Sequence, residues 1–324
     1  MRNDIPITLS HFIAVLIPCL NEEATIKKVV NDFQAALPGA TIYVYDNNST
    51  DRSIEVATSS GAIVKKEPVR GKGNVVRRMF ADIEADIYIL VDGDDTYHAQ
   101  SSVKMIDLLV KEELDMVNAA RLSDESQAYR IGHRFGNRVL NNLVGIIFGK
   151  QIKDMLSGYR VFSRRFAKSF PAISRGFEIE TELTVHALEM RMKVAEIDTP
   201  YKVRPEGSHS KLNTIRDGIN ILKMIVTFVK DERPFSFFSA LAAILGLSSI
   251  ILAIPIFIEY LETNLVPRFP TAILCSALMI LSFFSLYTGF ILDTITTARR
   301  EMKRFQYLQI PMHPFDKNNE HDTA

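Results

Sequence analysis

The chain has 324 residues, a length at which one large domain with an appendage, or two domains, is expected. Apolar residues make up 47% and charged residues 23%, the proportions of a folded protein. The 38 basic and 38 acidic side chains cancel, which argues against a nucleic-acid partner. Two cysteines without metal-type spacing, and no secretory signal at the start, indicate a reducing, cytosolic environment.

Residues 11 to about 200 alternate apolar runs typical of strands with stretches typical of helices. Strict alternation predicts an α/β fold with a mainly parallel sheet covered on both faces, and with ligands at the carboxyl ends of the strands. Polar segments lie at those ends. The predicted strands are 12–17, 41–46, 62–66, 86–92 and 114–119, and the predicted helices are 22–36, 52–59, 73–84 and 101–112.

Two polar segments point to a nucleotide rather than to a redox cofactor. Asp46 and Asn48 end the second strand, where such residues often bind a base or a ribose. The segment "RGKGN" lacks the spacing of a nucleotide-triphosphate loop, but its Lys72 and backbone amides could bind an anion; a simple glycine-rich connection is the alternative. No G-x-G-x-x-G follows the first strand, which argues against a nicotinamide or flavin cofactor.

The fourth strand runs into Asp92-Gly93-Asp94, followed by a third aspartate. Two carboxylates one residue apart can reach one hard cation, and the glycine lets the backbone come close. Oxygen ligands suit Mg²⁺ or Mn²⁺, which in turn suit a diphosphate. A solvated turn is the alternative, because Asp and Gly are common in turns.

Two long uncharged stretches, Phe235–Ile258 and Thr271–Leu292, follow the large domain. Each exceeds the roughly 20 residues that a membrane-spanning helix needs. Two buried helices of a soluble protein are the alternative, which uncharged runs of this length disfavour. We therefore predict a multi-pass membrane protein with two spans, joined as a hairpin by a short loop.

Basic side chains lie mainly outside the hairpin, so we predict that the large domain and both termini are cytoplasmic. Apolar residues at helical spacing from 215 to 229 predict an amphipathic helix on the membrane surface, with packing on the soluble domain as the alternative. Small residues in the first span could pack against copies of the chain and form a homo-oligomer. The basic residues are Lys223, Lys230, Arg233, Arg299, Arg300, Lys303 and Arg304, against Arg268 in the loop, and the small residues are Gly246, Ser248 and Ser249.

Six segments in order resemble the GT-A glycosyltransferases of family two: "IPCLNEE", "YDNNSTD", "RGKGN", "VDGDD", "DMLSGYRVFSRR" and "GFEIETEL". With "RPEGSHSKL" and the hairpin, the chain resembles the polyprenyl-phosphate branch typified by dolichol-phosphate mannose synthase. The resemblance covers about residues 11 to 212. It implies a Rossmann-like GT-A domain, a nucleotide-sugar donor, a divalent metal on the D-x-D, and an undecaprenyl or dolichyl phosphate acceptor at the membrane.

Carried over residue by residue, the resemblance implies nucleoside contacts at the first two strand ends and a metal, with the diphosphate, on the aspartates. Asp154 would line the side of the donor sugar and the acceptor. The residues after the D-x-D depart from the commoner Leu-Gln or Ile-Gln, so no third metal ligand is assigned. The nucleoside residues are Pro18, Asn21, Glu22, Asp46, Asn48 and Lys72; the metal residues are Asp92 and Asp94, with Gly93 beside them; the basic loop over the phosphates contains Arg204, Ser210 and Lys211.

A lipid phosphate is already an anionic nucleophile at neutral pH, so the predicted reaction needs steering of the acceptor rather than a general base. Arginines are the expected clamp, because a guanidinium binds phosphate oxygens in pairs. The candidates are Arg121, which ends the fifth strand, and Arg134 and Arg138, which are four apart; a solvated basic face is the alternative for that pair. Attack in line predicts inversion at the anomeric carbon.

The predicted domains are a glycosyltransferase domain (1–211), a juxtamembrane helix (212–233), the hairpin (234–298) and a cytoplasmic tail (299–324). UDP is favoured as the nucleotide and GDP is the alternative, while residue types near Asp154 and Glu178–Glu182 do not separate the sugars.

A processive polysaccharide synthase is disfavoured, because the chain has no Trp and two spans are too few for a channel. A nucleotidyltransferase is disfavoured by "PCLNEE" after the first strand. Another lipid or polysaccharide acceptor, and an inactive membrane-anchored sugar-nucleotide binder, stay open.

Overall fold

The computed structural model describes residues 11–122, 145, 152–172, 174, 176, 178–202, 226–227 and 229–311. The chain divides into two compact units, one formed by Met1–Gly218 with Lys303–Ala324 and the other by Ile219–Met302. The first unit contains the sheet, and the second contains the two long apolar stretches.

A seven-stranded sheet forms the centre of the first unit, in the order β3-β2-β1-β4-β6-β5-β7. Neighbouring strands are parallel except for β6, which runs antiparallel to β4 and β5. The predicted mainly parallel α/β architecture is confirmed, and β6 and β7 are strands that were not predicted. The strands are β1 Ile13–Cys19, β2 Thr41–Asp46, β3 Ile63–Lys66, β4 Ile87–Leu90, β5 Met116–Leu122, β6 Arg160–Ser163 and β7 Val194–Pro200.

Helices cover both faces of this sheet. Successive residues of β1 point to opposite faces, and on each face they pack in an apolar cluster with helix residues. Ile13 and Val15 pack in one cluster with Phe33, whereas Leu16 packs in the other with Met79. The helices are α1 Ile26–Ala36, α2 Ser53–Ser59, α3 Lys72–Asp82, α4 Ser101–Lys111, α5 Arg164–Ser169 and α6 Ile179–Glu189 in the first unit, with α7 Pro234–Thr263 and α8 Phe269–Gln309 following.

The first helix begins later than the predicted start at residue 22. The backbone N–H groups of Thr25 and Ile26 both donate to the Glu22 carbonyl, at 3.0 and 2.9 Å, and close a turn ahead of the helix. Asn21 adopts a φ of 52°, a left-handed conformation that breaks a helix. The segment after β1 is therefore a loop at the carboxyl edge of the sheet.

His186 on α6 is buried in an apolar pocket of the first unit. The rings of Phe166 and Phe170 pack against the imidazole, each with centroids 5.4 Å away. Its Nδ1 has no hydrogen-bond partner among the described residues. Burial, together with the Lys303 ammonium, lowers the pKa of His186 to about 3, so the folded protein holds this ring neutral.

Stability is expected to fall as the pH drops below about 6.5, because the unfolded chain then binds a proton that folded His186 does not accept. The folded-state pKa is depressed, so the contribution is intact above the unfolded pKa and is lost at about 1.4 kcal/mol per pH unit below it. Urea unfolding between pH 8 and 5, compared with His186→Gln, measures this slope. An equally steep loss in His186→Gln would assign the pH dependence to other groups.

The second unit contains two helices, α7 and most of α8, that are long and apolar enough to cross a membrane. Their large apolar side chains are exposed, such as Ile251 at 64% and Phe283 at 66%, which separates these helices from buried core helices. Serine hydroxyls bridge the two helices, including a bond from Ser282 Oγ to the Ala242 carbonyl at 2.7 Å. The second helix continues past residue 299, into the segment predicted as a tail.

Two of the three small residues that were predicted to contact other copies lie inside the hairpin instead. Ser249 Oγ donates to the Cys275 carbonyl at 2.8 Å, and a Cβ at Gly246 would lie 3.1 Å from Ser282 Oγ. These residues allow close approach of two helices of the same chain. The predicted homo-oligomer therefore gains no support from them. Most of the predicted amphipathic helix lies outside the described residues.

Candidate active site

Those predicted site residues that the structure describes gather at one edge of the sheet, where β1, β2, β4 and β5 end. The antiparallel strand β6 begins at this same edge, since Arg160 lies opposite Leu90 and Asn118. The loop that precedes β6, residues 152–159, is thereby brought beside the D-x-D that follows β4. This placement depends on one antiparallel strand, which the alternating sequence pattern did not reveal.

Five of the six predicted nucleoside residues lie together at the ends of β1 and β2, and the sixth, Lys72, pairs with Asp92 and Glu180 instead. The Asp46 carboxylate accepts the backbone N–H groups of Asn48 and Ser49, both at 3.1 Å. Asn21 Oδ1 accepts the N–H of Thr50 at 2.7 Å, so the two loops are tied together. The remaining residues of this group, Pro18 and Glu22, lie on the β1 side of the same network.

Asn47, which the sequence analysis did not select, holds the "RGKG" segment against β2. Its buried amide donates to the carbonyls of Glu67 and Val69, at 2.9 and 2.8 Å, and accepts the Gly71 N–H at 2.7 Å. Three hydrogen bonds from one side chain set the position of the loop that leads to Lys72. Its position between two selected polar residues was the only signal in the sequence.

Replacing Asn47 with alanine is expected to destabilise the first unit by about 2 kcal/mol, because it leaves two carbonyls and one N–H without their partner. Displacement of the loop should also weaken nucleotide binding by about tenfold. Denaturant unfolding and UDP titration measure the two effects. Gln34→Ala, which removes one exposed hydrogen bond to the Ser60 carbonyl, is the control and should change neither quantity measurably.

Asp92 and Asp94 differ in how they are held. Asp94 is buried, and its Oδ1 accepts the hydroxyl of Thr96 at 2.6 Å and the Thr96 N–H at 3.3 Å. The Asp92 side chain is 29% exposed, so it is the more accessible of the two. The following Asp95 is engaged elsewhere, because its Oδ1 lies 3.0 Å from the Lys28 ammonium. Both aspartates of the D-x-D thus present oxygens at the same sheet edge.

The Lys72 ammonium lies between two carboxylates. It donates to Asp92 Oδ1 and to Glu180 Oε1, the latter at 2.5 Å. Burial lowers the pKa of Lys72, but the two carboxylates more than offset this effect, and its pKa lies above that of a free lysine. Burial raises the pKa of Glu180, and the Lys72 ammonium opposes that shift. Glu180, on α6, was not selected individually from the sequence.

Arg121 and Asp154 form a bidentate ion pair, with distances of 2.6 Å from Nε to Oδ2 and 2.9 Å from Nη2 to Oδ1. The guanidinium also lies over the ring of Tyr201, 5.4 Å from its centroid. The structure thus joins two predicted catalytic residues, at 13% and 7% side-chain exposure. A phosphate that binds Arg121 would share it with this carboxylate.

Arg160 is fully buried beneath the 152–159 loop and shapes it. Its guanidinium donates to the carbonyls of Ser157 and Met155, at 3.0 and 2.6 Å, and to the Thr184 hydroxyl at 2.8 Å. Burial lowers the pKa of Arg160 to about 10, so the side chain stays charged at neutral pH. The loop that contains Asp154 and Gly158 is therefore fixed in place by the buried Arg160 guanidinium.

A divalent metal fits the two aspartates, although it would need further ligands. Asp92 already pairs with one cation, the Lys72 ammonium, so its carboxylate is placed where a positive charge is bound. Within the described ranges, no group of three or more His, Cys, Asp or Glu side chains could by itself hold a metal ion. Magnesium and manganese commonly take one or two carboxylates and complete their shell with water and substrate phosphates.

Five predicted residues lie outside the described part of the chain. Two are the arginines expected to clamp the acceptor, and three belong to the basic loop expected over the phosphates. Their roles stay predictions. They are Arg134, Arg138, Arg204, Ser210 and Lys211.

Comparison of the sequence with known proteins gives several matches. The sequence profile described as Glycosyl transferase family 2 matches residues 14–170. Glycosyltransferase AglJ of Haloferax volcanii is 32% identical over 300 residues, which cover 92% of this chain and 98% of that protein. The Dolichyl-phosphate hexose transferase of the same organism is 26% identical over 221 residues, 68% of this chain and 95% of that protein.

The fold also matches solved structures. Glucosyl-3-phosphoglycerate synthase from Mycobacterium tuberculosis, in complex with Mn²⁺, UDP-glucose and phosphoglyceric acid, superposes with a TM-score of 0.56 at 25% identity. The match covers 69% of this chain and 80% of that one. The similarity therefore spans a large share of both proteins.

Proposed function

Because this chain belongs to glycosyl transferase family 2, we propose that it is a membrane-bound, inverting glycosyltransferase that moves a sugar from a UDP-sugar to a polyprenyl phosphate. The class of enzyme, a glycosyltransferase, follows from the family. The observation that carries the finer proposal is that one chain combines the D-x-D edge with two helices apolar enough to span a membrane. A transferase that acts on a lipid-linked acceptor would use both of these features.

The comparisons support the acceptor and donor classes of the proposal, and the sequence supports the orientation. The relative named Dolichyl-phosphate hexose transferase matches 68% of this chain, which favours a polyprenyl-phosphate acceptor. The solved synthase contains Mn²⁺ and UDP-glucose, which favours a divalent metal and a uridine donor here. The basic residues around the hairpin favour a cytoplasmic location for the transferase domain and both termini.

The chain's own residues would act chiefly by positioning charge. Asp92 and Asp94 would hold Mg²⁺ or Mn²⁺, which when bound would stabilise the charge that develops on the departing diphosphate. The network of Asp46 and Asn21 would orient the nucleoside. Arg121, held by Asp154, would direct an acceptor oxygen, which needs no general base because a phosphate monoester is anionic at pH 7.

The test is sugar transfer in detergent from a panel of radiolabelled UDP- and GDP-sugars to a polyprenyl phosphate, with Mg²⁺ or Mn²⁺ added. We expect label to enter the organic phase from one donor, with the anomeric configuration inverted in the product. Retention of configuration would contradict the in-line mechanism. Nucleotide binding without transfer from any donor would indicate a different lipid or polysaccharide acceptor.

A further inference from the structure

We infer that Lys72 is an internal counter-ion for Asp92 in the metal-free site, and that Glu180 is the positioning residue that retains the Lys72 ammonium when a divalent metal binds Asp92. The inference rests on the proposed function in one respect only, the assignment of Asp92 as a metal ligand. Its test uses metal binding alone, without donor or acceptor.

The Lys72 ammonium and a divalent metal would both bind the Asp92 carboxylate. The ammonium donates to Oδ1 of Asp92, and the Lys72 side chain is only 9% exposed, so water does not substitute for this contact easily. A divalent ion on the same carboxylate would place two cations within a few ångströms of each other, where they repel. The metal and the ammonium therefore compete for Asp92.

Once displaced from Asp92, the Lys72 ammonium needs another acceptor. An ammonium has three donors and no acceptor, and a buried one needs a counter-charge. Glu180 already accepts one of these donors through Oε1, and its side chain is only 7% exposed. Its other oxygen, Oε2, is buried and has no partner among the described residues. Glu180 thus has an unused acceptor for the donor that Asp92 releases.

The helices that carry Glu180 and Lys72 hold the two side chains together. Glu180 lies in the first turn of α6, and Lys72 begins α3, 108 positions earlier in the sequence. The two helices lie on the same face of the sheet, since Val75 and Met79 of one share an apolar cluster with Ile179 and Leu183 of the other. The apolar cluster that both helices share therefore holds the carboxylate at the ammonium independently of the D-x-D loop.

Removing Lys72 and removing the charge of its partner Glu180 should have opposite effects on metal affinity. Removing the ammonium in Lys72→Met frees Asp92 and is expected to strengthen Mn²⁺ binding by about tenfold. Removing the charge of Glu180 in Glu180→Gln leaves Asp92 as the only carboxylate for the ammonium, and is expected to weaken Mn²⁺ binding by about fivefold or more. In the double variant there is no ammonium to retain, so the effect of Glu180→Gln should vanish.

The experiment is titration of the full-length, detergent-solubilised protein with Mn²⁺, read from the electron paramagnetic resonance signal of the free ion. Wild type, both single variants and the double variant are compared, after thermal unfolding has shown that each is folded. Lys28→Met is the matched control, because Lys28 pairs with Asp95 of the same segment rather than with Asp92, and we expect the wild-type affinity for it.

Tighter binding in Lys72→Met, weaker binding in Glu180→Gln and a double variant equal to Lys72→Met support the inference. Unchanged or weaker binding in Lys72→Met overturns it, and so does an effect of Glu180→Gln that persists in the double variant. Sugar transfer that continues in EDTA, with no Mn²⁺ bound by the wild type, also overturns it while leaving the transfer reaction intact. Absence of transfer with the expected Mn²⁺ pattern would leave the inference standing and refute the proposed acceptor or donor.

Discussion

Replacing Asp94 with asparagine is expected to reduce sugar transfer by about a thousandfold while the protein stays folded. The amide keeps the shape of the side chain and can still accept the Thr96 hydroxyl, which bonds Asp94 Oδ1 at 2.6 Å. The negative charge that a divalent ion needs is lost, and with it the stabilisation of the departing diphosphate. Radiolabel transfer over a range of Mn²⁺ concentrations measures the loss.

Asp95→Asn is the matched control for this prediction. Asp95 follows directly in the sequence, but its carboxylate pairs with Lys28 at 3.0 Å. A partly exposed pair of this kind contributes little to stability, so transfer should stay within about threefold of wild type. Full activity of Asp94→Asn would refute the metal role of Asp94. A loss in Asp95→Asn as large as that in Asp94→Asn would make Asp95 a third metal ligand.

Replacing Gly158 with alanine is expected to abolish metal-dependent transfer, with at least a hundredfold loss. A Cβ at this position would lie 2.9 Å from Asp92 Cγ and closer still to Oδ2, well inside normal contact distance. The glycine cannot move away, because Arg160 donates to the carbonyls of Met155 and Ser157, which precede it. In addition, the Gly158 N–H donates to the Tyr97 hydroxyl at 2.8 Å. Asp92 must therefore turn away from the metal position.

Two measurements separate this effect from general destabilisation. Mn²⁺ titration should show weakened binding in Gly158→Ala, whereas thermal unfolding should change by only a few degrees. Gly176→Ala is the matched control, because the atom its Cβ would meet is the end of the exposed Glu178 side chain, which can move aside. Normal Mn²⁺ affinity in Gly158→Ala would show that the loop and Asp92 do not constrain each other.

Much of the fold follows from local sequence pattern. The strands β1, β2, β3, β4 and β5 and the first four helices lie close to their predicted ranges, because apolar periodicity depends on neighbouring residues alone. The strands β6 and β7 were missed. Strand β6 has four residues, all of them buried, and includes a charged Arg160, so it shows neither alternation nor a long apolar run.

The residues of the candidate site also fall into two groups, those that the sequence revealed and those that only the fold brought together. The D-x-D and the polar strand ends could be selected from sequence because each follows an apolar run, whereas Asp154 was implied only by the resemblance of "DMLSGYR" to the family. The catalytic and binding roles of all these residues stay predictions. Glu180 and Gly158 could not be selected, because their contacts with Lys72 and Asp92 join positions that are far apart in the chain. The pairing of Arg121 with Asp154 likewise depends on strand order.

Sequence alone determined that this protein has an α/β domain with acidic strand ends and two apolar helices long enough for a membrane, since composition and periodicity are local properties. Only the tertiary structure decided which charges meet. The antiparallel insertion of β6 between β4 and β5 brings the 152–159 loop to the D-x-D. Packing of α3 and α6 on one face of the sheet puts an ammonium between two carboxylates. Coulomb interactions depend on distance in space, and the fold alone sets that distance.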